Sequence, residues 1–159
     1  MHDEKTEPKD LPPVVRTMDT RAIMKAIPHR YPFLLVDKVE ILEGEKRVIG
    51  TKCVTADEPF FVGHFPGHPV MPGVLIMESM AQTAAAMVLS RPDFAGKLAY
   101  FMGIDEAKFR LPVLPGSVLR MHLEAQRVGR IGKFRGDAYV DGKLAAEAVL
   151  TFAVVDKEK

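Results

Sequence analysis

The run from Val74 to Leu89, "VLIMESMAQTAAAMVL", limits what this chain can fold into more than any other stretch. Wound as a helix it is apolar around nearly its whole circumference, interrupted only by Glu78, Ser79, Gln82 and Thr83. A helix without a wide polar face has to be surrounded by other elements rather than laid on a surface. Pro72 and Gly73 stand where such a helix begins, and "RPDFAG" at 91–96 breaks it. The run is too short and too polar to be a good membrane span.

The rest of the chain reads mainly as strands. "TRAIMKAI" is a short helix capped by Asp19 or Thr20 and stopped at Pro28. Strand-like segments follow at 32–42, 47–54, 97–109, 117–128, 133–140 and 143–155, with Asp141–Gly142 as a strong hairpin signal. One long apolar helix and five or six strands predict an α+β fold, a strongly curved antiparallel sheet wrapped around one central helix. The plainer alternative, a helix on an open sheet, would need a second subunit to cover the helix. Residues 1–17 are charged and carry Pro8, Pro12 and Pro13, which predicts a mobile tail ahead of a single domain at 18–159.

Charge excludes some classes of function. Lys plus Arg number 22 and Asp plus Glu 21, so a net charge of +1 gives no global attraction to nucleic acid or to a membrane. The first residues lack the apolar segment of a signal peptide. Cys53 is the single cysteine, which excludes an intrachain disulfide and suits a reducing compartment. Its place in a strand reads as a core thiol.

Glu78 is then the odd residue. A carboxylate in apolar surroundings costs several kcal/mol unless it is paired or protonated. Gln82 lies one turn further along the same side of the helix. Either this face reaches solvent, or Glu78 is a buried acid. His64 bears on the choice. It sits in "GHFPGHP", a backbone constrained by Pro66, Gly67 and Pro69, and this segment leads directly to the helix carrying Glu78. His68–Pro69 is a candidate cis peptide here. The linker is short enough for imidazole and carboxyl to share a pocket, within one subunit or across an interface. A neutral imidazole beside a protonated carboxyl is a base–acid pair. Amide N–H groups near Gly73, at the helix start, can stabilise a developing oxyanion. These are the parts needed to remove a proton next to a carbonyl and expel a neighbouring hydroxyl as water. A metal site at His64 and His68 is disfavoured, because the prolines prevent helical spacing and no third ligand is suitably placed.

"GHFPGHPVMPGVLIMESMAQ" at 63–82, "HRYPFLLVDKV" at 29–39 and "YFMGIDEAKFRLPVLPGS" at 100–117 resemble, in order, the blocks of the bacterial (3R)-hydroxyacyl-acyl-carrier-protein dehydratases of the FabZ type. The resemblance runs from about Ile23 to Val155. It implies the hot-dog fold and reversible dehydration of a 3-hydroxyacyl chain on acyl carrier protein, in cytoplasmic fatty acid and lipid A biosynthesis, without a cofactor or metal. It makes His64 and Glu78 catalytic and the Gly73 amide an oxyanion donor, while Gln82, one turn beyond Glu78, is expected to support that carboxyl. It implies a homodimer in which the histidine of one protomer faces the glutamate of the other, with dimers assembling into a hexamer. Glu78 and Ala81 stand where the isomerising relatives carry aspartate and, in one form, tryptophan, which favours dehydration without isomerisation. An acidic carrier protein calls for a basic patch. The densest is Arg127, Arg130 and Lys133 around a turn at Gly129–Gly132, with Lys108 and Arg110 as the alternative. A hot-dog thioesterase and a non-catalytic acyl-binding module are the competing readings.

Overall fold

The computed structural model describes residues 4–158. Nine main elements follow one another: β1 (Val14–Met18), α1 (Thr20–Ala26), β2 (Lys38–Leu42), β3 (Arg47–Cys53), α2 (Gly73–Leu89), β4 (Leu98–Phe109), β5 (Val118–Arg127), β6 (Ile131–Val140) and β7 (Lys143–Val155). The strands form one antiparallel sheet in the order β1-β2-β3-β5-β6-β7-β4. α2 touches every strand from β2 to β7, and α1 closes one side. The sheet therefore wraps the helix, which is the hot-dog arrangement expected from the apolar run.

α2 is 17 residues long, about 25 Å. Its Ile76, Met77, Met80, Ala84, Met87 and Val88 are buried against Val48, Leu119, Met121, Leu123, Phe134 and Leu150 of the sheet. The helix lies so close to β3 that a Cβ on Gly50 would fall 2.2 Å from Thr83 Oγ1, so a glycine is needed there. Thr83 and Ser79 turn their hydroxyls back onto the carbonyls of Ser79 and Leu75, at 2.9 and 2.8 Å. These two polar residues thus satisfy themselves on the helix backbone. The Asp19 carboxylate accepts the Ala22 N–H at 2.9 Å and starts α1.

Four local expectations give way. The strand expected at 32–42 begins only at Lys38, because the backbone before it is held by a side chain: Leu35 N–H donates to Gln82 Oε1 and Phe33 O accepts from Gln82 Nε2. The boundary expected between a tail at 1–17 and a domain at 18 is crossed by β1, which pairs with β2. Ahead of β1, Thr6 bridges to Lys143, Lys5 is paired with Asp137, and Glu7 meets Arg120 and His122. Charge and proline content hid these contacts, since each is made with residues more than a hundred positions away. Residues 1–3 of the expected tail lie outside the described residues. Cys53 is exposed at the end of β3 rather than in the core. Finally, the cis peptides are Tyr31–Pro32 and His64–Phe65, and not His68–Pro69.

Candidate active site

His64 is held by a turn that its own sequence dictates. In Phe65–Pro66–Gly67–His68, proline presets the second position and Gly67 takes φ +71°, as a type II turn requires. His68 N–H closes the turn on Phe65 O at 2.8 Å. Beyond it, Val70 N–H donates to His64 O, and His64 Nδ1 lies 2.6 Å from Val70 O. A carbonyl oxygen only accepts, so Nδ1 carries the hydrogen and Nε2 keeps a free lone pair. In the neutral ring Nε2 is thereby left free to accept a proton.

His64 and Gly73 line one cavity of about 460 Å³, together with Phe109, Arg110 and Val113. Gly73 is the first residue of α2, and its N–H has no protein acceptor among the described residues. An ideal Cβ at this position would lie 2.6 Å from the Phe109 ring, so the approach of Phe109 excludes a side chain there.

Glu78 lies elsewhere. It lines a separate small cavity with His29, Gln82, Phe101 and Phe152. The environment is half-buried, neither of the two extremes left open by the sequence. Gln82, 1% exposed, uses both ends of its amide. Its Oε1 accepts from Leu35 N–H at 2.8 Å, while Nε2 donates to Phe33 O at 2.8 Å and to Glu78 Oε1 at 2.9 Å. The backbone partners fix which end is oxygen and which is nitrogen. Gln82 thus ties three things together: the helix, the 33–35 segment and the carboxyl. His29 borders the same cavity. Its Nε2 lies 3.4 Å from Glu78 Oε1. The signal that could have found it is its place at the head of the "HRYPF" block, just before the residues that Gln82 holds.

His64 and Glu78 thus line different cavities. They sit by opposite ends of β4: Phe109 walls the first cavity, and Ala99 and Phe101 wall the second. β4 is the last strand of the sheet, hydrogen-bonded only to β7, and it exposes Tyr100, Met102, Ile104 and Phe109. The basic residues Arg127, Arg130 and Lys133 are exposed at the β5–β6 hairpin and have no ion-pair partner among the described residues. Gly132 and Phe101 both pair with Phe152, so this hairpin shares its row of the sheet with the Glu78 end of β4. The Phe109 row, which meets β7 at Ala146, lies about 20 Å away along that strand. Arg110, from the alternative patch, pairs with Glu147.

Comparison with known proteins identifies the domain. Residues 27–149 match the FabA-like domain family. A 3-hydroxyacyl-[acyl-carrier-protein] dehydratase FabZ of Pelotomaculum thermopropionicum is 56% identical over 138 residues, covering 86% of this chain and 99% of the relative. That of Desulforamulus reducens is 55% identical over 141 residues, covering 88% and 99%. Among solved structures, a chain of the dehydratase heterocomplex ApeI:P from Xenorhabdus doucetiae superposes with a TM-score of 0.73 at 22% identity, covering 85% of this chain and 91% of that one. At that identity the likeness concerns the fold alone.

Proposed function

This chain belongs to the FabA-like family and, within it, to the FabZ-type 3-hydroxyacyl-[acyl-carrier-protein] dehydratases, and we propose that it works through a site shared by two protomers. The reaction is reversible dehydration of a (3R)-3-hydroxyacyl thioester on acyl carrier protein to the trans-2-enoyl thioester. His64 of one protomer takes the C2 proton through Nε2. The electron pair moves into the C2–C3 bond, the C3–O bond breaks, and Glu78 of the other protomer delivers a proton to the departing hydroxyl, releasing water. The Gly73 N–H faces the thioester oxygen as charge develops on it. Passage of the proton from imidazolium to carboxylate restores both groups.

The observation that carries this reading is the placement of His64 and Glu78 by opposite ends of one free edge strand. Antiparallel pairing of β4 with its copy about a two-fold axis near its middle brings the Phe109 end of one strand alongside the Ala99–Phe101 end of the other. Each His64 cavity then adjoins the partner's Glu78 cavity, and the exposed apolar residues of β4 are covered. Three such dimers would form the hexamer implied by the family. Arg127, Arg130 and Lys133 are the proposed dock for the acidic carrier. Support comes from their lack of ionic partners and from their row in the sheet. A carrier-bound substrate and a single exposed thiol fit a cytoplasmic enzyme of fatty acid and lipid A synthesis.

The test mixes two inactive variants. His64→Ala and Glu78→Ala should each lower turnover of a 3-hydroxyacyl carrier-protein thioester by roughly 10²–10⁴-fold, with the enoyl product followed by mass. After proven subunit exchange, mixed dimers carry one intact site and should recover up to half of the wild-type activity per heterodimer. No recovery despite exchange would reject the shared site. Release of free acid in place of the enoyl thioester would identify a thioesterase.

A further inference from the structure

We propose that His29 is a positioning residue for Glu78, presenting the carboxyl's second oxygen to the substrate with the transferable proton on it; this rests on the assignment of Glu78 as the acid. Two nitrogen atoms approach the same oxygen. Gln82 Nε2 donates to Glu78 Oε1 at 2.9 Å, and His29 Nε2 stands 3.4 Å from that atom. Oε2 has no protein donor among the described residues. In a carboxylic acid the oxygen that accepts N–H hydrogens acts as the carbonyl oxygen, so the acidic hydrogen is directed to the other one. Gln82 therefore marks Oε1 as the carbonyl oxygen, and the approach of His29 Nε2 to that same oxygen leaves Oε2 to face the cavity as the acid.

In the neutral ring, the surroundings of His29 select the tautomer with hydrogen on Nε2. Its Nδ1 is buried and has no hydrogen-bond partner. An N–H buried without an acceptor is costlier than a bare ring nitrogen, because carrying hydrogen there would orphan a donor. The imidazole lies nearly parallel to Phe33, with centroids 6.3 Å apart. Phe33 is the residue whose carbonyl holds Gln82. His29 and Gln82 are thus anchored by one short segment, and that segment is tied down again by Arg30, which donates to the carbonyls of Met24, Ile27 and His29. Among the described residues, Glu78 is the one other titratable group lining the cavity that holds His29; its remaining walls are Ala81, Gln82, Ala85, Ala99, Phe101 and Phe152.

The experiment compares His29→Ala and His29→Gln with wild type, on the same carrier-bound substrate. His29→Ala should lower kcat about tenfold, the scale of one lost polar contact, with KM within about twofold. His29→Gln restores an N–H donor, so it should regain most of kcat. Wild-type kcat in both variants would overturn the proposal. A second measurement does not depend on turnover. The His29 ring nitrogens, followed by NMR in wild type and in Glu78→Gln, should show the hydrogen on Nε2 and a change in the Nε2 signal when the carboxyl is replaced. A signal indifferent to Glu78→Gln, or hydrogen found on Nδ1, would reject the coupling. If Glu78→Gln itself kept full activity, the acid assignment would fall, whereas the NMR coupling would still report separately on the His29–Glu78 contact.

Discussion

Two faces of the same sheet bury polar groups, and they do so to different ends. On the inner face, Gln82 is enclosed and fully bonded, and it directs its last N–H to a carboxyl that borders a cavity. On the outer face, the segment ahead of β1 crosses the sheet and covers Tyr139, leaving it 1% exposed. There Glu7 Oε1 accepts from His122 Nε2 at 2.8 Å and from Arg120 at 3.3 Å, and Lys5 donates to Asp137 at 2.6 Å. The outer cluster has more charges and tighter pairs, and there the Tyr139 hydroxyl and Asp137 Oδ1 lack a hydrogen-bond partner among the described residues. The inner cluster leaves an oxygen of Glu78 and a nitrogen of His29 uncommitted. What separates the two clusters is therefore the group left free beside a cavity: on the inner face a carboxyl oxygen of Glu78, on the outer face a phenol and one oxygen of an ion-paired carboxylate.

Substitutions on the two faces should separate these roles. Gln82→Leu should have the largest effect, because it orphans Leu35 N–H and Phe33 O as well as releasing Glu78. A stability loss of about 2–4 kcal/mol is expected from two unsatisfied backbone groups, along with a fall in kcat of at least tenfold. Urea unfolding and steady-state kinetics measure the two parts. A variant that lost stability but kept kcat would make Gln82 as purely structural as the outer cluster.

Tyr139 supplies the next test. Burial, then the nearby carboxylates of Asp137, Glu7 and Glu147, push its hydroxyl up to about 12 from an ordinary 10.0. The folded state keeps this proton where the unfolded state releases it. The contribution to stability is whole below pH 10 and is lost as pH rises through about 12, on the order of 2–3 kcal/mol in all. Between pH 9 and 11, wild type should lose about 1 kcal/mol more than Tyr139→Phe in urea titrations. Equal losses would mean that the hydroxyl is solvated. Activity near neutral pH should be unaffected.

The smallest effect is expected from Glu7→Gln, which weakens the bonds to Arg120 and His122 without emptying space. It should cost about 1 kcal/mol of stability and leave kcat and KM within error. A fall in kcat would connect the outer strap to catalysis and erase the contrast between the faces.

Much of this was readable before any coordinates. The wrapped helix follows from a run too apolar to have a solvent face, and the turn at 65–68 from a proline and a glycine in successive positions. Glu78 and His64 stood out because each residue type conflicted with its setting. What stayed hidden depends on contacts between segments far apart in the chain. A lone imidazole in "HRYPF" carries no local sign of the carboxyl 49 positions later. Nor do charged, proline-bearing residues reveal that their partners lie on β5 and β6. The sequence by itself determined the layers, the caps and the residues worth suspecting, because these rest on periodicity and backbone preference within a few positions. Only the tertiary structure decided that His64 and Glu78 border different cavities at the two ends of β4, because strand order and register arise from packing the whole sheet around α2.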